Sequence, residues 1–214
     1  MHDKETAERR RRAELLSGVY VILDEHPRIL ELADAVLAAG VRIVQYRAKS
    51  GIRPQTLGSL RARTAVRGAL LILNDDWRAA NEFDCDGVHL GPADAGFDRP
   101  ALVRAGVGDR LIGLSCGTPA EARHANESDV DYIGVGSIYA TSSKSDAGPP
   151  IGTFALRALV DESRLPVAAI GGITAKTLAE IRRSGAAMAA VISAISSARD
   201  PEGAARRLIE AWRN

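Results

Sequence analysis

The chain has 214 residues, enough for one domain or at most two small ones. Its 28 Lys and Arg offset 27 Asp and Glu, so no global field draws it to nucleic acid or an anionic membrane, and any anion site must be local. No apolar run approaches the roughly 20 residues of a membrane span. The charged opening, "MHDKETAERRRRAELL", lacks the apolar centre of a signal peptide.

The opening stretch predicts a charged helical extension over residues 1–17. Its four arginines at 9–12 are few for a nucleic-acid contact, so the helix is expected to be solvated. A single domain is expected over 18–214. "GVYVILD" (18–24) reads as the first strand. In "ILELADAVLAAG", Ile29, Leu32, Ala33, Val36 and Leu37 share one helix face, and Gly40 stops the helix. Further strands are expected at 41–47, 69–75, 87–91, 111–115, 132–136, 167–172 and 188–193. Helical patterns separate them, for example at 119–126, 152–160, 177–184 and 201–212. The segment between Lys49 and Ala69 is short and predicts a trimmed second helix. Strands this apolar, without alternation, are buried on both faces, as parallel strands are. Eight such βα units fit an α/β protein of the (β/α)8 TIM-barrel class. A doubly wound open sheet is the alternative, but it would concentrate polar signals at one switch point rather than after nearly every strand.

Those polar signals are taken strand by strand. "QYRAK" alternates Gln45, Arg47 and Lys49, which period two places on one side of an extended segment. The three suit an anionic ligand, or else form a surface ion-pair cluster. In "LNDDW", Asp76 is placed to cap the next helix, leaving Asn74 and Asp75 for the mouth. "GVHLGPAD" supplies His89, a structural residue or a site residue, and Asp94. Two carboxylates at neighbouring strand ends suit magnesium, which takes one or two carboxylates and completes its shell with water and substrate phosphate. Ser115 follows the fifth strand, and "YATSSKSDAGPP" after the sixth offers Thr141, Ser142, Ser143 and Lys144. This loop is expected to close over bound ligands. "IGGIT" and "VISAIS" end the last two strands, where this fold commonly builds phosphate sites. Gly171 and Gly172 let backbone N–H groups approach an anion, and Ser193 begins a helix-like turn. Cys85 and Cys116 have no metal-ligand spacing and read as reduced thiols of a cytoplasmic protein. Two anion sites emerge, one cationic with metal and one of amides and hydroxyls, a combination that suits group transfer between two small molecules.

In order, "VQYRAK", "LILNDD", "DGVHLG" with Asp94, "IGLS", "YIGVGSIYATSSKSDA", "AIGGIT" and "AVISAIS" resemble the motifs of the thiamine phosphate synthase family over nearly the whole chain after Gly18. The resemblance implies a transferase that joins hydroxymethylpyrimidine diphosphate to hydroxyethylthiazole phosphate and releases pyrophosphate by a dissociative route. By motif, Gln45 resembles the residue that reads the pyrimidine, with His89 nearby. Arg47, Lys49, Asn74 and Lys144 resemble the diphosphate ligands, and Asp75 and Asp94 the magnesium carboxylates. Ser115, Thr141, Ser143, Gly172, Ile192 and Ser193 resemble the thiazole phosphate site. Lys144, Arg47 and Asn74 carry the catalytic expectation. Pro92, Ser143 and Gly117 depart from residues common in the family.

The alternatives are a thiazole tautomerase on the same fold, a metal-free phosphate-binding barrel isomerase and a non-catalytic thiamine-pathway sensor. Against the tautomerase, Gly117 offers only backbone where a histidine would suit proton transfer. Cys116, the sole nearby titratable side chain expected, is a poor base at an ordinary thiol pKa near 8.5. Neither nucleic acid nor membrane is expected as a partner, and a homo-oligomer is left open.

Overall fold

In the computed structural model, residues 6–143 and 148–214 are described, and eight parallel strands close into a barrel in chain order. The strands are β1 (Gly18–Asp24), β2 (Ile43–Arg47), β3 (Leu70–Asn74), β4 (Gly87–Leu90), β5 (Leu111–Ser115), β6 (Tyr132–Val135), β7 (Val167–Ile170) and β8 (Met188–Val191). β8 pairs with β1 in the register Gly18 to Met188, which completes the closure. No sheet edge is left, so the open doubly wound sheet is excluded.

The two-sided burial expected of the strands follows their period. In β3, Leu70 and Ile72 join Tyr20, Ile22, Ile43, Leu111 and Tyr132 in the barrel interior. Leu71 and Leu73, between them, pack in the outer layer with the helices. Leu32, Ala33, Val36 and Leu37 of helix α2 (Ile29–Ala39), numbered after the N-terminal α1 described below, form that layer's face. Gly40 ends α2 with φ 100°, a left-handed cap that a glycine adopts without strain.

Between β2 and β3 lies α3 (Pro54–Val66), a full 13-residue helix rather than a trimmed one. It needs little core because Leu57, Leu60 and Thr64 alone form its buried line, and the rest of it, with Arg61 and Arg63, is small or polar apart from the exposed Val66. After β3 comes α4 (Trp77–Glu82), capped as expected by Asp76, whose carboxylate accepts the N–H groups of Arg78 and Ala79. Helices α5 (Pro100–Val107), α6 (Pro119–Glu127), α7 (Gly152–Glu162) and α8 (Leu178–Arg183) follow β4 to β7. The short α9 (Ser193–Ser196) and α10 (Pro201–Arg213) follow β8. No helix among the described residues is long and apolar enough to cross a membrane.

The N-terminal helix α1 (Ala7–Ala13) is not a solvated extension. Arg9 donates from Nε to Asp131 at 2.6 Å and lies 2.7 Å from Asp129, while Arg12 reaches Asp86 at 3.3 Å. Asp86 and Asp131 immediately precede β4 and β6, and each also accepts a backbone N–H of the preceding strand, from Leu71 and Ile112 respectively. Leu16 follows α1 into the interior cluster, so the helix closes the barrel's N-terminal end. The Asp131 side chain is 4% exposed and is shared with Arg104 at 2.7 Å. Removing Asp131 would leave the Ile112 N–H without its acceptor and Arg9 and Arg104 with Asp129 as their sole carboxylate among the described residues, and breaking so buried a pair costs roughly 3–5 kcal/mol. Asp131→Ala should lower the denaturant-derived unfolding free energy by about that much, and a loss below about 1 kcal/mol would make the docked helix energetically incidental.

Candidate active site

Because all eight strands run the same way, their C-terminal ends and following loops ring one mouth. A cavity of about 460 Å³ opens there. Gln45, Arg47, Lys49, Asn74, Asp75, His89, Asp94, Ser115, Thr141, Ser143, Gly172, Ile192 and Ser193 all line it. The sequence expectation for Lys144 falls outside the described residues, as does the middle of the loop expected to close.

One end of the cavity is ionic. Arg47, the last residue of β2, donates to Asp24 at the end of β1 at 2.7 Å, and Lys49 Nζ lies 2.7 Å from Asp75 Oδ2. Both cations are therefore in ion pairs while also facing the cavity. Asp75 holds φ 71°, a left-handed conformation that aspartate tolerates better than most residues, and its N–H donates to His89 O of the neighbouring strand. Asp94 accepts the Gly91 N–H at 2.6 Å. Its carboxyl is pushed above the ordinary aspartate range, chiefly by desolvation. The Gly91 N–H opposes that shift, and contact with the Asp75 carboxylate adds to it. Two touching carboxylates, one resisting ionisation, form a site with a cation's worth of negative charge to neutralise. Among the described residues no third His, Cys, Asp or Glu joins them. The donor set therefore suits magnesium, with its remaining shell from water and phosphate oxygens.

The other end is built of backbone and hydroxyls. Gly171 and Gly172 have φ 101° and 65°, and the loop after β6 lies directly on them, with Tyr139 N–H donating to Gly171 O at 3.0 Å. A Cβ on Gly172 would stand 2.5 Å from Ala140 O, so the close approach requires glycine. Thr141 Oγ1 accepts the Ser143 N–H at 3.2 Å, and Ser193 opens α9 after the non-helical Ile192.

The cavity floor holds residues that the sequence reading passed over. Gln45, 2% exposed, donates from Nε2 to Tyr20 OH at 2.6 Å. Tyr20 OH lies 3.1 Å from Tyr132 OH, Tyr132 OH lies 3.2 Å from His89 Nδ1, and His89 Nε2 lies 3.1 Å from Ser115 Oγ. His89 thus belongs to both readings, holding the floor together and facing the cavity. Tyr20 and Tyr132 carried a signal, since a phenol at an inward strand position must find a partner, as Tyr20 does two residues before Ile22.

Around Gly117 two expectations change. Burial pushes the Cys116 thiol up to about 12, well beyond an ordinary thiol, and its side chain packs in the outer layer while Ser115 faces His89. Cys116 is also not the sole titratable group nearby. Glu121 lines the cavity rim, its Oε2 accepting the Gly117 N–H at 2.6 Å and the Thr118 N–H at 3.0 Å in a capping box that starts α6. Neither cysteine is in a disulfide.

Fold and site together define a (β/α)8 barrel with a polar, partly ionic cavity at the C-terminal ends of its strands. The family described as thiamine monophosphate synthase matches residues 19–195. A thiamine-phosphate synthase of Archaeoglobus fulgidus is 43% identical over 183 residues, covering 84% of this chain and 85% of that protein. One from Acidithiobacillus ferrooxidans is 40% identical over 215 residues, covering 94% and 96%. The solved thiamine phosphate pyrophosphorylase of Pyrococcus furiosus superposes with a TM-score of 0.82 at 30% identity, covering 95% of this chain and 97% of that one. The chain belongs to the thiamine monophosphate synthase family, a family of transferases.

Proposed function

We propose that this chain joins hydroxymethylpyrimidine diphosphate to hydroxyethylthiazole phosphate, forming thiamine phosphate and pyrophosphate. The observation that carries the reading is one cavity with two unlike anion-binding ends: Arg47, Lys49 and two carboxylates at one, glycine backbone and hydroxyls at the other. In this reading Gln45 and His89 face the pyrimidine, and Arg47, Lys49, Asn74 and Lys144 hold the diphosphate. Ser115, Thr141, Ser143, Gly172, Ile192 and Ser193 hold the thiazole phosphate. Asp75 and Asp94 would hold Mg2+, which supplies positive charge to the diphosphate oxygens.

The chemistry breaks the bond between the pyrimidine methylene and the diphosphate oxygen, and the electron pair leaves with pyrophosphate. The aminopyrimidine delocalises the positive charge left behind, and the thiazole nitrogen forms the new bond to the methylene. No protein nucleophile is needed. The protein's part is to stabilise the departing anion with fixed cations, to align the second substrate, and to keep water from the exposed methylene. Unpaired Cys85 and Cys116 suit a reducing compartment, and the cytoplasm is the proposed location.

Two outcomes test the assignment of ends. Gly172→Ala forces a strained φ against Ala140 O, and a residue held there costs about 1–3 kcal/mol. The Michaelis constant for the thiazole phosphate should rise roughly tenfold or more, with that for the pyrimidine diphosphate little changed. Second, the unaromatised thiazole isomer supplied alone should not be converted, because Glu121 is engaged by two N–H groups and Cys116 is buried and protonated. Conversion followed by absorbance at a rate comparable with coupling would favour the tautomerase.

A further inference from the structure

The amide-and-hydroxyl end of the cavity is assembled from two separate loops. Residues 137–143 after β6 lie over the glycines after β7, joined by the Ile138 N–H to Ile170 O at 2.9 Å and the Tyr139 N–H to Gly171 O at 3.0 Å. The β6 loop closes on itself at a narrow neck. There the Ile151 N–H donates to Ser137 O at 2.9 Å and the Gly152 N–H to Ile138 O at 3.0 Å. Beyond Tyr139, no backbone hydrogen bond among the described residues ties the loop to the glycines.

One side chain bridges both limbs of that neck. Glu180 of α8 accepts the Tyr139 hydroxyl on Oε2 at 2.8 Å and the Thr153 hydroxyl on Oε1 at 2.8 Å. The bonds from Tyr139 and then Thr153 hold the Glu180 carboxyl below its ordinary range. Burial, and then the Glu180 carboxylate, pushes the Tyr139 phenol up to about 12. Both hydroxyls therefore stay protonated and donate, and each carboxylate oxygen is committed to one limb. The tie lies close to the glycines. A Cβ on Gly172 would stand 2.7 Å from Tyr139 Cβ and 2.5 Å from Ala140 O, so a shift of Tyr139 reaches the glycine backbone directly.

We propose that Glu180 is a positioning residue for this end of the cavity: it ties the β6 loop to the helix after the β7 glycines, and so fixes the spacing between Thr141 and the Gly171–Gly172 backbone that holds a phosphate. Glu180 does not line the cavity and touches no reacting atom in this account. Charge alone makes the opposite prediction. A carboxylate on the element after the glycines opposes an anion there, so its removal should tighten phosphate binding. A tie requires that removal weaken it. Glutamine separates the two further, because its oxygen still accepts from Tyr139 and its NH2 group can donate to the Thr153 hydroxyl oxygen. The inference rests on the functional reading above, which assigns this end to the thiazole phosphate.

The test is titration calorimetry on the full chain with hydroxyethylthiazole phosphate, and with pyrophosphate and Mg2+ as ligands of the opposite end. Glu180→Ala should weaken thiazole phosphate binding about fivefold or more, as the loss of one or two modest hydrogen bonds would, and leave pyrophosphate within about twofold. Glu180→Gln should bind the thiazole phosphate within about twofold of wild type, since both bonds can be remade. Tyr139→Phe should weaken it in part, and Glu180→Ala should then cost less than it does in the wild type, because the two share one interaction. Glu180 is exposed, so these variants should keep the wild-type unfolding midpoint. Unchanged or tighter thiazole phosphate binding in Glu180→Ala, equal weakening of both ligands, or no rescue by Glu180→Gln would each overturn the tie. The functional reading fails separately. If the wild type bound inorganic phosphate, more weakly in both Gly172→Ala and Glu180→Ala, but did not bind hydroxyethylthiazole phosphate, the tie would stand and that reading would fall. Binding of neither by the wild type would overturn both.

Discussion

Excess chelator should abolish turnover, and Asp94→Asn should depress it by about 10² or more, as expected when a charge-stabilising group is lost from such a site. Asp75 and Asp94 are in contact, and burial together with its neighbour holds the Asp94 carboxyl above its ordinary range. Without a cation, that pair would repel an incoming diphosphate. With one, the same charge anchors the diphosphate and leaves Lys49, now bound to Asp75 at 2.7 Å, available to phosphate oxygens.

The stability consequence has the opposite sign to the activity consequence. A carboxyl whose folded pKa is raised binds its proton more tightly in the native state. Its contribution is fully favourable below the ordinary aspartate pKa and is lost as pH rises through the raised folded value. In metal-free buffer at neutral pH, Asp94→Asn should therefore leave the protein as stable as wild type or more so, and should remove that part of the pH dependence. Full turnover in chelator, or a metal-free loss of stability in Asp94→Asn, would sink the assignment.

Lys144→Ala should lower kcat by roughly 10²–10³, about 3–4 kcal/mol, while changing the Michaelis constant for the thiazole phosphate by no more than a few fold. Negative charge on the departing bridging oxygen grows only as the methylene bond breaks, so an ammonium aimed there binds the transition state better than the bound substrates. Arg47 is different in kind. It is already fixed by Asp24 at 2.7 Å; if it holds the diphosphate in the ground state, as proposed, Arg47→Ala should raise the Michaelis constant for the pyrimidine diphosphate as well as lower kcat. Normal kcat in Lys144→Ala with a raised Michaelis constant for the thiazole phosphate would move Lys144 to the other end of the cavity.

The barrel was legible because its strands are apolar on both faces, whereas which set faces inward, Leu70 and Ile72 rather than Leu71 and Leu73, is visible only in the structure. The mouth was legible for a related reason, since polar residues at the ends of buried strands have nowhere else to go. What escaped notice is what periodicity does not encode. The docking of α1 depends on Arg9 finding Asp131, 122 residues away, and four successive arginines read as a solvated face. The floor chain escaped because Tyr20 and Tyr132 look like core aromatics until their hydroxyls are seen to meet. Glu121 was missed because its side chain folds back over a capping box to the Gly117 N–H rather than lying beside it in sequence. The full length of α3 was hidden by its arginines, which leave Leu57 and Leu60 as the sole apolar marks of its buried side.

The central claim is that one cavity binds two phosphorylated substrates at unlike ends and passes the pyrimidine methylene between them. Phosphorus NMR of the full chain with hydroxymethylpyrimidine diphosphate, hydroxyethylthiazole phosphate and Mg2+ tests it directly. Pyrophosphate should appear one-for-one with thiamine phosphate, and neither should form when any one of the three is left out. Pyrophosphate release at the same rate without the thiazole phosphate, or no release with all three present, would contradict the account.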